Sequence, residues 1–509
     1  MNIKTDPIVD HGQHTSSEEH RVRLEKVEKL RAQGIEPWPE YKEVDATAAQ
    51  AIASFDKAST DTQDERGGEG DTKQYAISGR LMGIRLHGKA AFATLQDLSG
   101  RMQVYIKADV VGEEAFKVFE HLIDIGDVLW CKGTVFKTKM GEISLRVSEF
   151  TLMSKCLHPL PEKFHGIHDI EIKYRQRYLD LITDEQAKQR FIKRSLIVSA
   201  IRSLLDAKGY LEVETPMLHP IVGGAAAKPF VTHHNALGHD FYLRIAPELY
   251  LKRLVIGGLN RVYEINRNFR NEGISTRHNP EFTMIELYTA YEDFNFSMNL
   301  VEEIIRTAAL KALGTLQVPY HDTVLDFAKP FERISIHDAI CKYGKFSEVD
   351  ISKENIDATL EKSNIKHMKK SMYGEKLLAL FEEFAEPHFI QPTFAINYPI
   401  ETSPLTKRDP KNPEIAPRFE LFVGRMELSN GYNELNDPFD QTERFKEQVR
   451  SHAAGNDEAH QFDADYVQAL EYGLPPTSGL GIGIDRLVML LTNAPSIKDV
   501  ILFPTLKKK

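Results

Sequence analysis

The sequence predicts a multidomain α/β chain: a small five-stranded β-barrel near the N-terminus, then a larger domain with an antiparallel sheet flanked by helices. Three observations predict it. Five short β-type runs separated by turn signals, with one helical stretch after the third, fill residues 75–152. Beyond Asp180, helical stretches alternate with strand-like segments whose spacing suits hairpins better than strand–helix–strand repeats. The 509 residues also exceed one ordinary core, since a domain takes about 150.

Composition narrows the function classes. Hydrophobic residues make up 42% and charged residues 27%, a globular balance. Lys and Arg number 64 against 74 Asp and Glu, a net charge of −10. That excludes a chain that coats nucleic acid by overall charge and leaves room for a local basic groove. Cys131, Cys156 and Cys341 lie far apart without a CxxC, which excludes a disulfide framework and a four-cysteine zinc site. The first residues hold no apolar signal core, and no apolar run approaches the roughly 20 residues of a bilayer span. A soluble protein of a reducing compartment is expected.

Residues 16–32 (SSEEHRVRLEKVEKLRA) read as a helix capped by Ser16 or Ser17 and stopped by Gly34 and Pro37. Its apolar positions Val22, Val27 and Leu30 are sparse among charges, so a solvated helix is expected. Residues 59–73 (STDTQDERGGEGDTK) have nothing to bury and read as a mobile linker. The β-runs follow at 75–84, 91–96, 102–106, 128–136 and 143–152, with a helix at 113–125 between the third and fourth. That order is the order of an OB-fold, which commonly binds oligonucleotides on its strand 2–3 face. If Ala91, Ala93 and Leu95 point inward with Met102, Val104 and Ile106, then Phe92, Arg101 and Gln103 stand outside. An exposed aromatic beside an amide and a guanidinium is what base stacking and edge reading require. Phe92 in the core, with the alanines outside, stays open on pattern alone. Further on, a long amphipathic helix is predicted over 189–207, ending at Gly209 and running into YLEVETPML (210–218). Helical composition returns at 297–313 and 335–384. The predicted organisation is therefore an N-terminal helix and linker (1–74), the barrel (75–155), a hinge (156–182) and the α/β domain (183–509), with an insertion at about 335–417.

Three segments carry chemistry. No GxxxxGK[ST] occurs, which excludes a P-loop, and GLGIGIDRLVML (479–490) lacks the glycine spacing and the context of a dinucleotide fold. What remains there is a glycine strand that something can approach, a turn, and a helix starting near Asp485 with Arg486 in its first turn, where anions are attracted. Glycines for tight packing, with Arg486 a surface charge, is the open alternative. In FRNEGISTRHNPEFTMIELY (269–288), a strand at 261–265 leads to a loop and a return strand at 282–288. Alternation sends Thr283, Ile285 and Leu287 to the core and lines up Phe282, Met284, Glu286 and Tyr288 on one wall. That wall suits a nucleobase at one end and a cationic group at the other. Arg270 at the loop entrance could clamp a phosphate or carboxylate.

In RFELFVGRMELSNGYNELNDP (418–438), Gly424-Arg425 makes a two-residue hairpin turn. Val423 would then pair with Met426, Phe422 with Glu427 and Glu420 with Ser429, which puts Glu420 and Glu427 on one side. Two such carboxylates repel unless a proton or cation lies between them. Mg²⁺ bridging substrate phosphates is the natural occupant. Asn430 and Glu434 add an amide and a further carboxylate.

YLEVETPML with Pro216, FRNEG through Phe282, and GLGIGIDR resemble motifs 1, 2 and 3 of class II aminoacyl-tRNA synthetases. With the barrel, KYRQRYLDLI (173–182), PELYLKRL (247–254) and NGYNELNDP (430–438), the chain resembles lysyl-tRNA synthetases of the bacterial type. The resemblance implies ATP-dependent activation of L-lysine to lysyl-adenylate and transfer of lysine to the 3′ end of tRNA(Lys), by positioning and charge stabilisation without a side-chain nucleophile. It implies Arg270, Glu427 and Arg486 as catalytic, with Glu272, His278, Asn279, Phe282 and Glu420 completing the ATP site and Phe282 stacking on adenine. Glu420 and Glu427 match the Mg²⁺ carboxylates. Around lysine it implies Arg270 on the carboxylate, Glu286, Tyr288, Asn430 and Glu434 on the ε-ammonium, and Glu248 with the Gly224 carbonyl on the α-amino group. Arg85, Phe92, Gln103 and Glu142 match positions that read a U-rich anticodon. A cytoplasmic homodimer built on motif 1, with no membrane partner, is also implied. Two readings of other kinds stay open: a paralogue that lysylates a protein, which would lack the barrel, and a synthetase-derived RNA-binding protein, which could dispense with Arg270, Glu427 or Arg486.

Overall fold

The computed structural model describes residues 18–58, 73–161, 169–365, 371–453 and 461–508, in two compact units, Met1–Gly166 and Ile167–Lys509. In the first unit, β1 (Gln74–His87), β2 (Ala90–Gln96), β3 (Arg101–Lys107), β4 (Val128–Lys137) and β5 (Ile143–Ser154) close a barrel of order β1-β2-β3-β5-β4. Period-2 alternation fills it: Ala91, Ala93 and Leu95 meet Met102, Val104 and Ile106 in the core. The helix Glu113–Leu122 adds Phe116, Phe119 and Leu122.

The N-terminal helix, Glu18–Ala32, is not the solvated helix that its sparse apolar residues suggest. Val27 and Leu30 are buried with Arg23, and Leu30 joins the barrel core. Arg23 donates to the Cys156 carbonyl at 2.8 Å, and Lys26 pairs with Asp124 at 2.6 Å. Two apolar residues one turn apart, framed by cations that find barrel acceptors, are enough to dock it. A helix absent from the sequence reading, Ala48–Ala58, adds Ala48 and Ala51 to the same core. Ser16, Ser17 and residues 59–72 of the expected linker lie outside the described residues.

The second unit contains β6 (Leu211–Glu212), β7 (Leu218–His219), β8 (Val231–His234), β9 (His239–Leu243), β10 (Arg261–Phe269), β11 (Glu281–Ala290), β12 (Gln317–Tyr320), β13 (Thr323–Asp326), β14 (Glu332–Ser335), β15 (Thr393–Pro399), β16 (Ile415–Val423), β17 (Met426–Asn433) and β18 (Thr477–Gly483). Eight of them form one sheet of order β14-β15-β16-β17-β18-β11-β10-β6. Only its end pairs, β14 with β15 and β10 with β6, are parallel. One face packs on the helices Glu185–Ala207, Phe294–Leu313 and Ile484–Thr492, where Ile285, Leu287, Phe419, Leu421, Leu480 and Ile482 meet Ile197, Ile201, Ile304 and Val488. The first helix starts at Glu185, with Asp184 capping the Gln186 N–H. Its apolar residues are not confined to one stripe, since Phe191, Ile192 and Leu196 are half-buried beside the buried Ile197 and Ile201. Within residues 335–417, the helices Ile336–Gly344, Ile356–Lys362 and Tyr373–Phe384 share an apolar cluster of their own, and β15 returns to the main sheet. Among the described residues no helix is long and apolar enough to cross a membrane.

Candidate active site

The sheet face opposite those helices carries the chemistry, and a departure from the predicted pairing builds it. Gly424 and Arg425 turn the hairpin with φ of 60° and 63°, the type I′ geometry that matches strand twist. A Cβ on Gly424 would sit 2.6 Å from the Tyr320 ring. Val423 pairs with Met426 and Phe422 with Glu427, as predicted, but Glu420 pairs with Asn430 rather than Ser429. Leu428 is an extra residue, a β-bulge. Because side chains alternate strictly, that one residue moves Asn430 and Tyr432 onto the face of Glu420 and Glu427. Without the bulge they would point into the core.

At one end, a cavity of about 150 Å³ is lined by Arg270, Glu272, His278, Asn279, Phe282, Glu427 and Arg486, among others. The loop between β10 and β11 closes where the Arg270 N–H donates to the Pro280 carbonyl at 2.8 Å. The Arg270 guanidinium lies over the Phe282 ring at 5.2 Å, and its buried Nε has no acceptor. A buried charged donor without a partner is costly, and an anionic ligand would relieve it. Arg486 donates to the Glu427 carbonyl at 2.6 Å and to its carboxylate at 3.2 Å, and meets the His278 ring at 3.2 Å. Burial, then the neighbouring Arg486, pushes His278 below its ordinary value, which favours the neutral imidazole. Asn279 holds the loop, donating to the Glu281 carbonyl at 2.7 Å and accepting from the Thr505 N–H at 3.3 Å. Arg418, absent from the sequence reading, donates to Glu420 at 2.5 Å and to the Asn430 amide oxygen at 3.2 Å. Burial pushes Glu420 up to about 7, with Arg418 opposing and the nearby Glu427 carboxylate adding to the rise.

Next to the cavity, β18 runs between β11 and β17 with a line of glycines on this face. Gly481 lies between Glu286 and Asn430, and Gly479 between Tyr288 and Tyr432. A Cβ on Gly479 would fall 2.1 Å from Glu434 and 2.5 Å from the Tyr288 ring. The glycines therefore pack tightly and floor a pocket at the same time. Glu248 enters from the first turn of the helix Glu248–Ile256, against Gly224, whose φ is 91°. A Cβ on Gly224 would be 3.2 Å from that of Glu248.

The sequence reading missed the pocket's central residue. Lys252 is fully buried, and its ammonium donates to Glu248 at 2.8 Å and to Glu434 at 2.6 Å. Its spacing four residues after Glu248 in PELYLKRL was the available signal. Tyr432 donates to Glu248 at 2.7 Å and Tyr288 to Glu286 at 3.2 Å. Three buried carboxyl groups (Glu248, Glu286, Glu434) share one ammonium, more acids than the single cation can hold ionised. Burial, then repulsion from Glu248, pushes Glu286 up to about 8. Burial drives Glu434 up as well, against the pull of Lys252.

On the barrel, the register lines up Arg85, Phe92, Tyr105 and Arg146 across four strands. Phe92 faces outward, with its ring 4.8 Å from Tyr105 and 6.2 Å from His87. Arg146 covers the Phe136 ring at 4.8 Å. Tyr105, Phe136 and Arg146 were not singled out from sequence, although Tyr105 has the same parity as Phe92. Gln103 shares the outward parity but is covered, only 8% exposed, which corrects its expected exposure. Its amide accepts from Ser144 at 2.9 Å and donates to Glu142 at 2.9 Å, so side chains from β3 and the β4–β5 turn join there.

Residues 169–507 match the family described as tRNA synthetases class II (D, K and N), and residues 75–153 match the OB-fold nucleic acid binding domain. The chain is 51% identical over 493 residues to the lysine–tRNA ligase of Carboxydothermus hydrogenoformans, covering 96% of this chain and 98% of that one. It is 51% identical over 491 residues to that of Salmonella typhi, with 96% of each chain covered. With that of Syntrophomonas wolfei it shares 50% identity over 495 residues, covering 97% and 98%. The barrel, the antiparallel sheet and these relatives together show that the chain belongs to the class II tRNA synthetases, in the lysine–tRNA ligase family.

Proposed function

We propose that this chain activates L-lysine with ATP to lysyl-adenylate and transfers lysine to the 3′ end of tRNA(Lys). The observation that carries this reading is charge. Three buried carboxyl groups with one ammonium among them adjoin a cavity whose Arg270 donor lacks an acceptor, and lysine brings two ammonium groups and one carboxylate. Glu286, Tyr288, Asn430 and Glu434 take the ε-ammonium, Glu248 and the Gly224 carbonyl the α-amino group, and Arg270 the carboxylate and the α-phosphate. Phe282 stacks on adenine, with Glu272, His278 and Asn279 around the nucleotide and Arg486 on the γ-phosphate. A lysine carboxylate oxygen attacks the α-phosphorus and pyrophosphate leaves. A hydroxyl of the terminal tRNA ribose then takes the lysyl group, and AMP leaves. Arg270, Glu427 and Arg486 hold the reacting groups and the developing charge in place.

The Glu427 carboxylate helps to raise Glu420, and a pair of hard oxygen donors fits Mg²⁺. Among the described residues no three His, Cys, Asp or Glu side chains gather to hold a metal alone; Glu420 and Glu427 would be the protein's oxygen donors to the ion. When bound, Mg²⁺ supplies positive charge to those phosphates. Arg85, Phe92, Gln103 and Glu142 read the anticodon, and the active protein is a cytoplasmic homodimer. Pyrophosphate exchange tests the reading: it should depend on lysine and ATP together. Exchange driven by another amino acid, or intact tRNA binding without exchange, would overturn it.

A further inference from the structure

Glu248 and Glu434 reach the pocket from different elements, and a single atom joins them. The Lys252 ammonium donates to Glu248 Oε1 at 2.8 Å and to Glu434 Oε2 at 2.6 Å. Tyr432 fixes the same Glu248 oxygen at 2.7 Å. The other Glu434 oxygen, Oε1, is buried without a partner, in the space where a Cβ on Gly479 would come within 2.1 Å. Each carboxylate is thus anchored from behind by one oxygen. The stem of Lys252 is itself enclosed, with the Tyr466 ring 5.5 Å from the ammonium. Few other positions are open to it, so the anchor is rigid.

We propose that Lys252 is a positioning residue for substrate length: by clamping Glu248 and Glu434 on one ammonium, it sets the spacing at which the pocket accepts two amino groups. The inference rests on the lysine-activation reading, in which Glu248 faces the α-amino group and Glu434 the ε-ammonium. It extends that reading to the discrimination of lysine from ornithine, which is one methylene shorter. Without the clamp, nothing would tie Glu248 to Glu434, and the two ends of the pocket could shift relative to one another. A pocket that tolerates several spacings cannot measure chain length.

The test uses the full-length chain with Lys252→Met, which keeps the bulk of the side chain, and Lys252→Gln, which keeps a donor without the charge. Pyrophosphate exchange is measured with lysine and with ornithine. A well-fitted methylene is worth about 10- to 200-fold in kcat/KM, so the lysine-to-ornithine ratio should fall at least about tenfold. The lysine KM should rise while the ATP KM stays within about twofold, since the interaction removed belongs to amino-acid binding. An unchanged ratio, or lysine and ATP KM values rising together, would reduce Lys252 to an ordinary structural ion pair and overturn the inference. Failure of both variants to fold would do the same. The two failures separate cleanly: a wild-type chain that does not exchange with lysine sinks the underlying reading, whereas a discriminating wild type with equally discriminating variants sinks only the role of Lys252.

Discussion

At the scale of single residues the pocket is governed by buried carboxylates, and their protonation gives a directional test. Burial raises Glu286 from its ordinary 4.5 to about 8. A raised carboxyl favours the fold fully below the unfolded value and loses that contribution as pH climbs through about 8. The empty pocket therefore becomes less favourable from pH 5 to 8, and an ammonium ligand relieves it most at the upper end. Lysine should raise the melting temperature more at pH 8.5 than at pH 6, with ATP showing no such trend; a flat lysine profile would mean that Glu286 is already ionised in the empty pocket. Glu286→Gln should remove most of the trend and raise the lysine KM with the ATP KM little changed. Losing one member of a buried charged set costs about 3–5 kcal/mol. At the nucleotide end, Glu427→Ala should abolish adenylate formation with the fold intact, since Glu427 is only half-buried and its neighbour Arg486 also bonds the backbone carbonyl. Retained exchange in that variant would show that the carboxylate pair is not used.

At the scale of elements, what was legible in the sequence was whatever strict alternation and turn chemistry decide. Ile285 and Leu287 are buried in the core while Glu286 and Tyr288 line the site, as period 2 requires. Gly424 and Arg425 turn the hairpin as their chemistry suggests. The bulge at Leu428 was not legible, because no residue type demands one and a single inserted residue is invisible to pattern counting. Lys252 and Arg418 were missed because a charged residue in a helix or strand reads as solvated until the fold buries it, as with Lys252, or pairs it, as with Arg418. The barrel poses the same question with a clearer answer. Parity alone left Phe92 ambiguous, and the structure turns it outward beside Tyr105. Phe92→Ala should leave lysine activation and barrel melting near wild type and weaken tRNA charging. A stacked base contributes roughly 1–3 kcal/mol, or about 5- to 150-fold in kcat/KM for tRNA. A collapsed melt in that variant would mean that Phe92 supports the barrel core instead.

At the scale of the whole molecule, the surface of the second unit leaves one element exposed in a way that single residues do not explain. β7, β9 and β8 form a separate three-stranded sheet, and β8 lies at its edge with all four residues exposed. Leu218 and Val231 on that sheet and Leu237 in its β8–β9 turn are 43–59% exposed. An edge strand with unpaired backbone groups beside exposed aliphatic side chains invites pairing with another chain. A symmetric interface buries both at once, since the same patch then faces itself across a two-fold axis. The wild-type chain should therefore sediment as a homodimer at micromolar concentration. Val231→Asp combined with Leu237→Asp should shift it toward monomer, because two carboxylates per subunit would meet their copies across the axis, while each fold stays intact by circular dichroism. A monomeric wild type would refute the dimer outright. A dimer that survives both charges would locate its interface on some other face of the second unit.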